Sequence, residues 1–363
     1  MDDNQRACLG FSLCGGFGPI TFKKLVSHYS SPSKAFSAPE SQLFKLVKET
    51  QARKLIAFRS KFKAEDEIKK LHSKNIWVVA CIEKSYPQQL LELYDPPICL
   101  FGKGKISLFD FLTDSYVGIV GTRKATSYGL QMTKWISSTL SSQGVVIVSG
   151  MATGIDIIAH KAAIEKQART IAVLGTGIDI IYPYENKALY EQIIREYGII
   201  ISEYPPGFGT NPGMFVLRNR IIVGISKAIV VVEGGKHSGT LTTARYAAEN
   251  GRDVYAVPGP ITSEMSVGPH ILLREGAKVL SDPQELLHDF GLNPPSHSLE
   301  KMPADLTEQE KEVYDLLSVR KYTVDEVAKK MSVRISDLLP ILSLLEVRGI
   351  IGKELDGQFT VRV

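Results

Sequence analysis

The sequence predicts an α/β fold built on a doubly wound parallel sheet, with a small helical domain before it and a second, helix-rich module after it. Three observations carry the prediction. Between about residue 75 and residue 285, short β-branched runs recur: "YVGIV", "VVIVS", "TIAVL", "GIIIS", "AIVVV" and "DVYAV". Each is free of charge in its interior, as strands buried on both faces are. Segments of helical spacing separate them: "GLQMTKWISSTLSSQ", "GIDIIAHKAAIEKQ", "NKALYEQIIREY" and "TLTTARYAAENG". Strand and helix alternating at this spacing is the pattern of parallel βαβ units.

The elements follow in chain order. Residues 1–65 read as short helices. Within them "GGFGPITFKKLVSHY" places a glycine turn before an apolar-periodic helix. This is the outline of a helix-hairpin-helix or SAM-like unit, which either offers turn amides to phosphate or serves only as packing. From Lys45 to Lys74 there are ten Lys/Arg against four Asp/Glu, so this part of the chain could face an anion, although "KFKAEDEIKKLHSK" reads as a solvated helix face. Residues 66–290 hold the alternating core. Residues 291–303 fall in the proline-rich, polar stretch "GLNPPSHSLEKMPAD" and read as a linker. Residues 304–363 carry two capping boxes, Thr307 to Glu310 and Thr323 to Glu326. A third apolar helix, "SDLLPILSLLEVRG", follows, and then a hairpin around Asp356-Gly357. Three helices and a hairpin suggest a winged-helix domain.

Bulk properties narrow the function. The chain has 363 residues, 44% hydrophobic and 23% charged, with a net charge of +4. No apolar run approaches the roughly 18 residues of a membrane span. The N-terminus lacks the basic flank of a secretory signal. The four cysteines, Cys8, Cys14, Cys81 and Cys99, form no CxxC pair, and the seven histidines show no ligand spacing. A reducing, cytoplasmic setting is therefore expected, with no metal and no cofactor.

The chemistry lies in the loops after the strands, where open parallel sheets bind ligands. "GIVGTRKATSYG" supplies Gly121, Thr122, Arg123 and Lys124. "SGMATGID" supplies Gly150, and "LGTGIDIIYP" supplies Gly175 and Gly177. "EGGKHSGTLTTA" supplies Lys236, Ser238, Gly239 and Thr240. The last loop is not a Walker loop: Gly234 and Gly239 are correctly spaced, but Thr240 stands where the lysine belongs. No G-x-G-x-x-G fingerprint is present either. What remains is general anion binding by amides, hydroxyls and charge. Several such loops on one edge, with Arg123, Lys124, Arg218 and Arg220, suit several phosphates in a row, and so a groove for a strand. Phe215, three residues before Arg218, is the candidate for stacking on a base. Tyr182, Tyr184, Tyr204 and Phe208 occupy other edge loops and are expected to pack. Asp156 and His160 share a helix face at i, i+4, with a structural role favoured over an acid–base or metal pair. No Ser-His-Asp or Cys-His set can be assembled, so no catalytic residues are assigned.

These motifs, taken in order, resemble the DNA-processing protein A (DprA/Smf) family of bacteria. The likeness rests on "GIVGTRKATSYG", "VSGMATGIDIIAH", "TIAVLGTGIDIIYPYEN", "IISEYPPG", "FVLRNRIIVGISKAIVVVE" and "SGTLTTARYAAENGRDVYAVPG", from about Tyr86 to Leu280. It implies an extended Rossmann-like fold that binds single-stranded DNA without cleaving it. It also implies a homodimer that protects incoming DNA during natural transformation and helps load the recombinase RecA. By the family pattern, binding residues carry over to Gly121, Thr122 and Arg123, to Phe215, Arg218, Asn219 and Arg220, and to Ser238, Gly239 and Leu241. Four positions depart from that pattern. Thr153 replaces an arginine, Val216 a proline, and Gly268 to His270 a Gly-Thr-Asn; Tyr184 stands where many members carry a basic residue. These losses of donor or charge imply weaker binding or more reliance on stacking.

Two other functions compete. A nucleotide phosphoribohydrolase on a related sheet would need an acid–base carboxylate where this chain has Thr243. A duplex-reading tail is opposed by charge, since Ala304 to Val363 carries nine Lys/Arg against eleven Asp/Glu.

Overall fold

The structure is a computed structural model and describes residues 1–292, 306–319, 321–331, 333–348, 350–353 and 357–361. Most of the expected linker, and Asp356 of the expected hairpin turn, lie outside the described residues. The chain divides into two compact units, Met1–Asn293 and Pro294–Val363.

The first unit begins with six helices: α1 (Asp3–Cys14), α2 (Pro19–Tyr29), α3 (Pro32–Phe36), α4 (Glu40–Leu46), α5 (Glu49–Arg59) and α6 (Ala64–Ser73). Asp2 starts α1 with a capping box: its side chain accepts from Gln5 N at 2.8 Å, and its own N–H donates to Gln5 Oε1 at 2.6 Å. The chain leaves α1 through Gly15 and Gly16, both at positive φ (65° and 78°), a conformation glycine adopts without steric penalty. Phe11 is fully buried, with Phe17, Phe22 and Phe36 edge-on around it at 5.2–5.5 Å. This cluster runs without a break into sheet residues Ala80, Phe101, Ala172 and Ile200. The helical segment and the sheet therefore share one core.

The sheet has nine strands: β1 (Trp77–Ala80), β2 (Cys99–Gly104), β3 (Tyr116–Val120), β4 (Val146–Ser149), β5 (Thr170–Val173), β6 (Gly198–Ser202), β7 (Ala228–Val231), β8 (Asp253–Ala256) and β9 (Lys278–Val279). Their order is β1-β2-β6-β5-β4-β3-β7-β8-β9. The doubly wound parallel arrangement holds from β6 to β9. The sequence pattern missed β1 and β2, which pair antiparallel with each other and with β6 and make the sheet mixed. Between the strands run α7 (Ser127–Ser142), α8 (Ile155–Glu165), α9 (Lys187–Arg195), α10 (Pro212–Ile225), α11 (Gly239–Glu249), α12 (Val267–Arg274) and α13 (Pro283–Asp289). Every residue of β3, β4 and β7 is buried, yet alternation still sorts them. Ile119, Ile147 and Val230 join one core with α7 and α8. Val120, Val148 and Val231 join the other with α10 and α11.

From β3 the chain winds outward through β4, β5 and β6, then returns to place β7 on the other side of β3. That reversal is a topological switch point, and the loops leaving β3 and β7 diverge there to open a crevice. No helix of the described residues is long and apolar enough to cross a membrane.

The second unit holds α14 (Glu308–Val319), α15 (Val324–Met331), α16 (Ile335–Val347), β10 (Ile351–Lys353) and β11 (Phe359–Val361), the two strands antiparallel. Thr307 and Glu310 form the first capping box, and Thr323 and Glu326 the second.

Candidate nucleic-acid interface

The crevice at the switch point is a cavity of about 420 Å³. The loop after β3 lines it with Gly121, Thr122, Arg123 and Lys124. The first turns of α10 add Phe215, Arg218 and Asn219, and the start of α11 adds Ser238, Gly239 and Thr240. Segments up to 119 residues apart, from Gly121 to Thr240, thus meet in one place. A second hollow of about 190 Å³ shares Arg123 and Phe215 and adds Gly150, Thr153 and Tyr182.

Local structure holds the lips. Thr126 caps α7, its hydroxyl accepting from Gly129 N at 3.2 Å. Buried Glu233, just past β7, accepts from Thr126 N at 2.9 Å and from its Oγ1 at 2.5 Å. The Glu233 carbonyl also accepts from Thr122 N at 2.8 Å. The loops after β3 and β7 are therefore fastened to each other. Ser238 caps α11 by accepting from Thr240 N at 3.3 Å, and Asn211 caps α10 by accepting from Gly213 N at 3.0 Å. The N-termini of α7, α8, α10 and α11 follow the carboxyl ends of strands at this edge, and their partial positive charge favours anions.

Arg123 and Lys124 are exposed. The Arg123 guanidinium lies 5.3 Å from the centroid of the Phe215 ring, and Tyr182 meets that ring at 5.3 Å from the other loop. Tyr182 is 45% exposed, so the sequence expectation that it merely packs is incomplete. Its ring, tilted 35° to that of Phe215, continues the aromatic surface beside it. Lys236 is exposed on the same β7–α11 loop but does not line the cavity.

Beneath this surface lies a polar layer. Arg218 is 3% exposed and donates to the carbonyls of Gly150, at 2.7 Å, and Val173. Burial lowers its pKa to about 10, partly offset by Asp156. A Cβ at Gly150 would lie 2.3 Å from the Arg218 guanidinium, so only glycine fits there. Asp156 accepts from the amides of Gly150 at 3.1 Å and Ala152 at 3.3 Å. Its own burial raises its pKa, against the pull of Arg218. His160 is fully buried and bonds Thr170 Oγ1 through Nδ1 at 2.7 Å; burial, then Arg218, push its pKa down to about 3. Both side chains are tied into this layer, Asp156 through two amides and His160 through Thr170.

Several candidate residues take places the sequence pattern did not suggest. Phe215, Arg218 and Arg220 lie on a regular helix, α10, rather than in an edge loop. Arg220 points away from the crevice: its guanidinium grips both oxygens of Glu203, at 2.9 and 2.6 Å, and Asp95 at 3.0 Å. Burial opposes its charge, but Glu203 and Asp95 hold its pKa above the ordinary value. Of the residues assigned to phosphate, two are thus already committed: Arg218 to carbonyls and Arg220 to carboxylates that neutralise its charge. Gly175 and Gly177 are buried under the rim; a Cβ at Gly175 would lie 3.0 Å from the Phe215 ring. Thr243, where a hydrolase would need its carboxylate, accepts from Asn219 Nδ2 at 2.8 Å. Of the departures from the family pattern, Thr153 lines the smaller hollow, whereas Gly268 sits against the Gly234 carbonyl, bonded through its N–H at 2.7 Å.

A family model described as DNA recombination-mediator protein A matches residues 77–291. The chain belongs to that family. Protein Smf of Synechocystis is 36% identical over 296 residues, covering 81% of this chain and 74% of that protein. DNA processing protein DprA of Streptococcus pneumoniae is 41% identical over 209 residues, covering 58% and 72%. The X-ray structure of DNA processing protein A from S. pneumoniae superposes with a TM-score of 0.69 at 30% identity, over 80% of this chain and 98% of that one. The structure of the single-stranded DNA-binding DNA processing protein A from Helicobacter pylori matches with a TM-score of 0.53 at 31% identity, over 59% of this chain and 95% of that one. Membership places this chain in DNA processing and recombination, on the Rossmann-like α/β fold.

Proposed function

We propose that this chain binds single-stranded DNA along the switch-point crevice and acts as a recombination mediator without catalytic turnover. The observation that carries the proposal is the convergence of the exposed Arg123, lying over Phe215, with Lys124 and the starts of α10 and α11 around one crevice. The arrangement suits a strand whose phosphates take Arg123, Lys124 and the positive ends of α10 and α11, and whose bases stack on Phe215 and Tyr182. The related H. pylori protein, which binds single-stranded DNA, supports this reading. The proposed cellular role is to protect incoming DNA during natural transformation in the cytoplasm, as a homodimer, and to help load RecA onto it. Gly121, Thr122, Asn219, Ser238, Gly239 and Thr240 are the proposed contacts of the crevice, with Lys236 at its margin.

Anisotropy titrations of the full chain with labelled oligonucleotides test it. Single strands should bind more tightly than duplex, and log affinity should fall with log salt by about 0.7 per phosphate neutralised. Arg123→Ala should weaken all sequences about equally and reduce that slope by about 0.7. Unchanged affinity for the variant would remove this site from the binding surface.

A further inference from the structure

A third cavity lies on the other side of the first turns of α10. It is about 390 Å³ and is walled by the glycine turn after α1, Gly15 to Pro19, and by Tyr204, Phe208, Met214 and Leu217. Tyr204 and Phe208 are stacked nearly parallel, with centroids 4.5 Å apart and planes 12° apart. Arg220, Glu203 and Asp95 line it as well. The sequence pattern offered the glycine turn only as a phosphate contact or as packing, and expected the aromatic pair to pack.

We infer that this cavity takes an unpaired base of the same strand, next along from Phe215; the inference rests on the function proposed above. Continuity is the first argument. One loop underlies both places: Gly175 backs onto Phe215, and a Cβ at Gly177 would lie 2.6 Å from the Pro205 carbonyl and 2.8 Å from Phe208 N. Successive turns of α10 serve both, with Phe215 and Asn219 toward the crevice and Met214 and Leu217 toward the cavity. Chemistry is the second. The parallel rings offer a flat apolar face, the surface on which bases stack regardless of sequence. Two carboxylates against one guanidinium leave the trio one negative charge, which repels a phosphate. It suits the amino hydrogens of adenine, cytosine or guanine, which a carboxylate accepts. A cation stands beside the glycine turn: Lys54 is exposed, and its Nζ lies 3.3 Å from where a Gly15 Cβ would be. No ion pair holds it among the described residues. The base enters the cavity and its phosphate turns outward toward Lys54.

The test compares the full chain binding mixed-sequence strands of about 5 and about 15 nucleotides, near the short and long ends of the footprints of single-strand grooves. Wild type should bind the longer strand more tightly. Phe208→Ala and, independently, Leu217→Glu should each weaken the longer strand about tenfold and leave the shorter within about twofold. Leu217 is 51% exposed, so its replacement leaves the fold intact. Strands labelled with 5-iodocytosine, which keeps the amino group, should crosslink to Tyr204 or Phe208. Variants that bind the longer strand like wild type, with crosslinks confined to Phe215 and Tyr182, overturn the inference while leaving the crevice in place. Loss of both strands in Arg123→Ala marks the crevice as the shared anchor. Failure of wild type to bind either strand sinks the function and this cavity together.

Discussion

The lip of the crevice and the layer just beneath it hold the same kinds of side chain and put them to opposite uses. Arg123 on the lip is exposed and rests on an aromatic ring. Arg218 and Arg220, below, are 3% and 7% exposed and fully engaged with carbonyls or carboxylates. A guanidinium in water is available to a phosphate. One withdrawn from water must be paired, because an isolated buried charge is costly. Changes on the lip should therefore alter affinity, and changes in the layer should alter stability.

The largest effect should come from the double variant Asp95→Ala/Glu203→Ala, which removes both carboxylates and strands the Arg220 charge. Chemical denaturation should show a loss of about 3–5 kcal/mol. A loss below about 1 kcal/mol would blur the distinction between layer and lip, since exposed ion pairs are worth no more than that.

Next is the acid response of His160. Its folded pKa of about 3 lies below its ordinary 6.5, so the unfolded chain takes the proton first as pH falls. Stability should drop below about pH 6.5, by about 2 kcal/mol at pH 5, and level off only near pH 3. Asp156 works the other way: its raised folded pKa means the folded state takes the proton first, so its contribution grows as pH falls through that value. His160→Asn should flatten the slope between pH 6.5 and pH 5, measured by urea titration at each pH. An unchanged slope would assign the acid response to other groups.

On the lip, Arg123→Ala should shift stability by no more than about 0.5 kcal/mol while reducing single-strand affinity about tenfold. Equal losses of stability and affinity would merge the two regions. The smallest effect belongs to Lys236→Ala, exposed at the margin, where about a twofold change in affinity at low salt, vanishing at high salt, is expected.

Much of this organisation can be read from the chain. The core strands are legible because burial on both faces demands uninterrupted apolar runs, as in "YVGIV" and "AIVVV". Strands β1 and β2 are not: β2 carries Gly102, Lys103 and Gly104, and its Gly102 lies flat against Trp77, a contact visible only once the strands pair. Helix α10 hides for a different reason. It buries Ile221, Ile222 and Val223 in succession, so its apolar residues show no helical period. The glycine loops, Arg123 and Phe215 can be picked out as candidates, but neither the companionship of Tyr182 nor the diversion of Arg220 can.

Residue types and their order suffice to set the sheet, the turns at its carboxyl edge and the stock of amides, hydroxyls and cations found there, because these depend on neighbours close along the chain. Which cations stay free is settled by carboxylates brought from far away. Asp95 reaches Arg220 across 125 positions, while no acid reaches Arg123 among the described residues. Charge is a property of a residue, but its availability depends on what the fold places within about 4 Å of it.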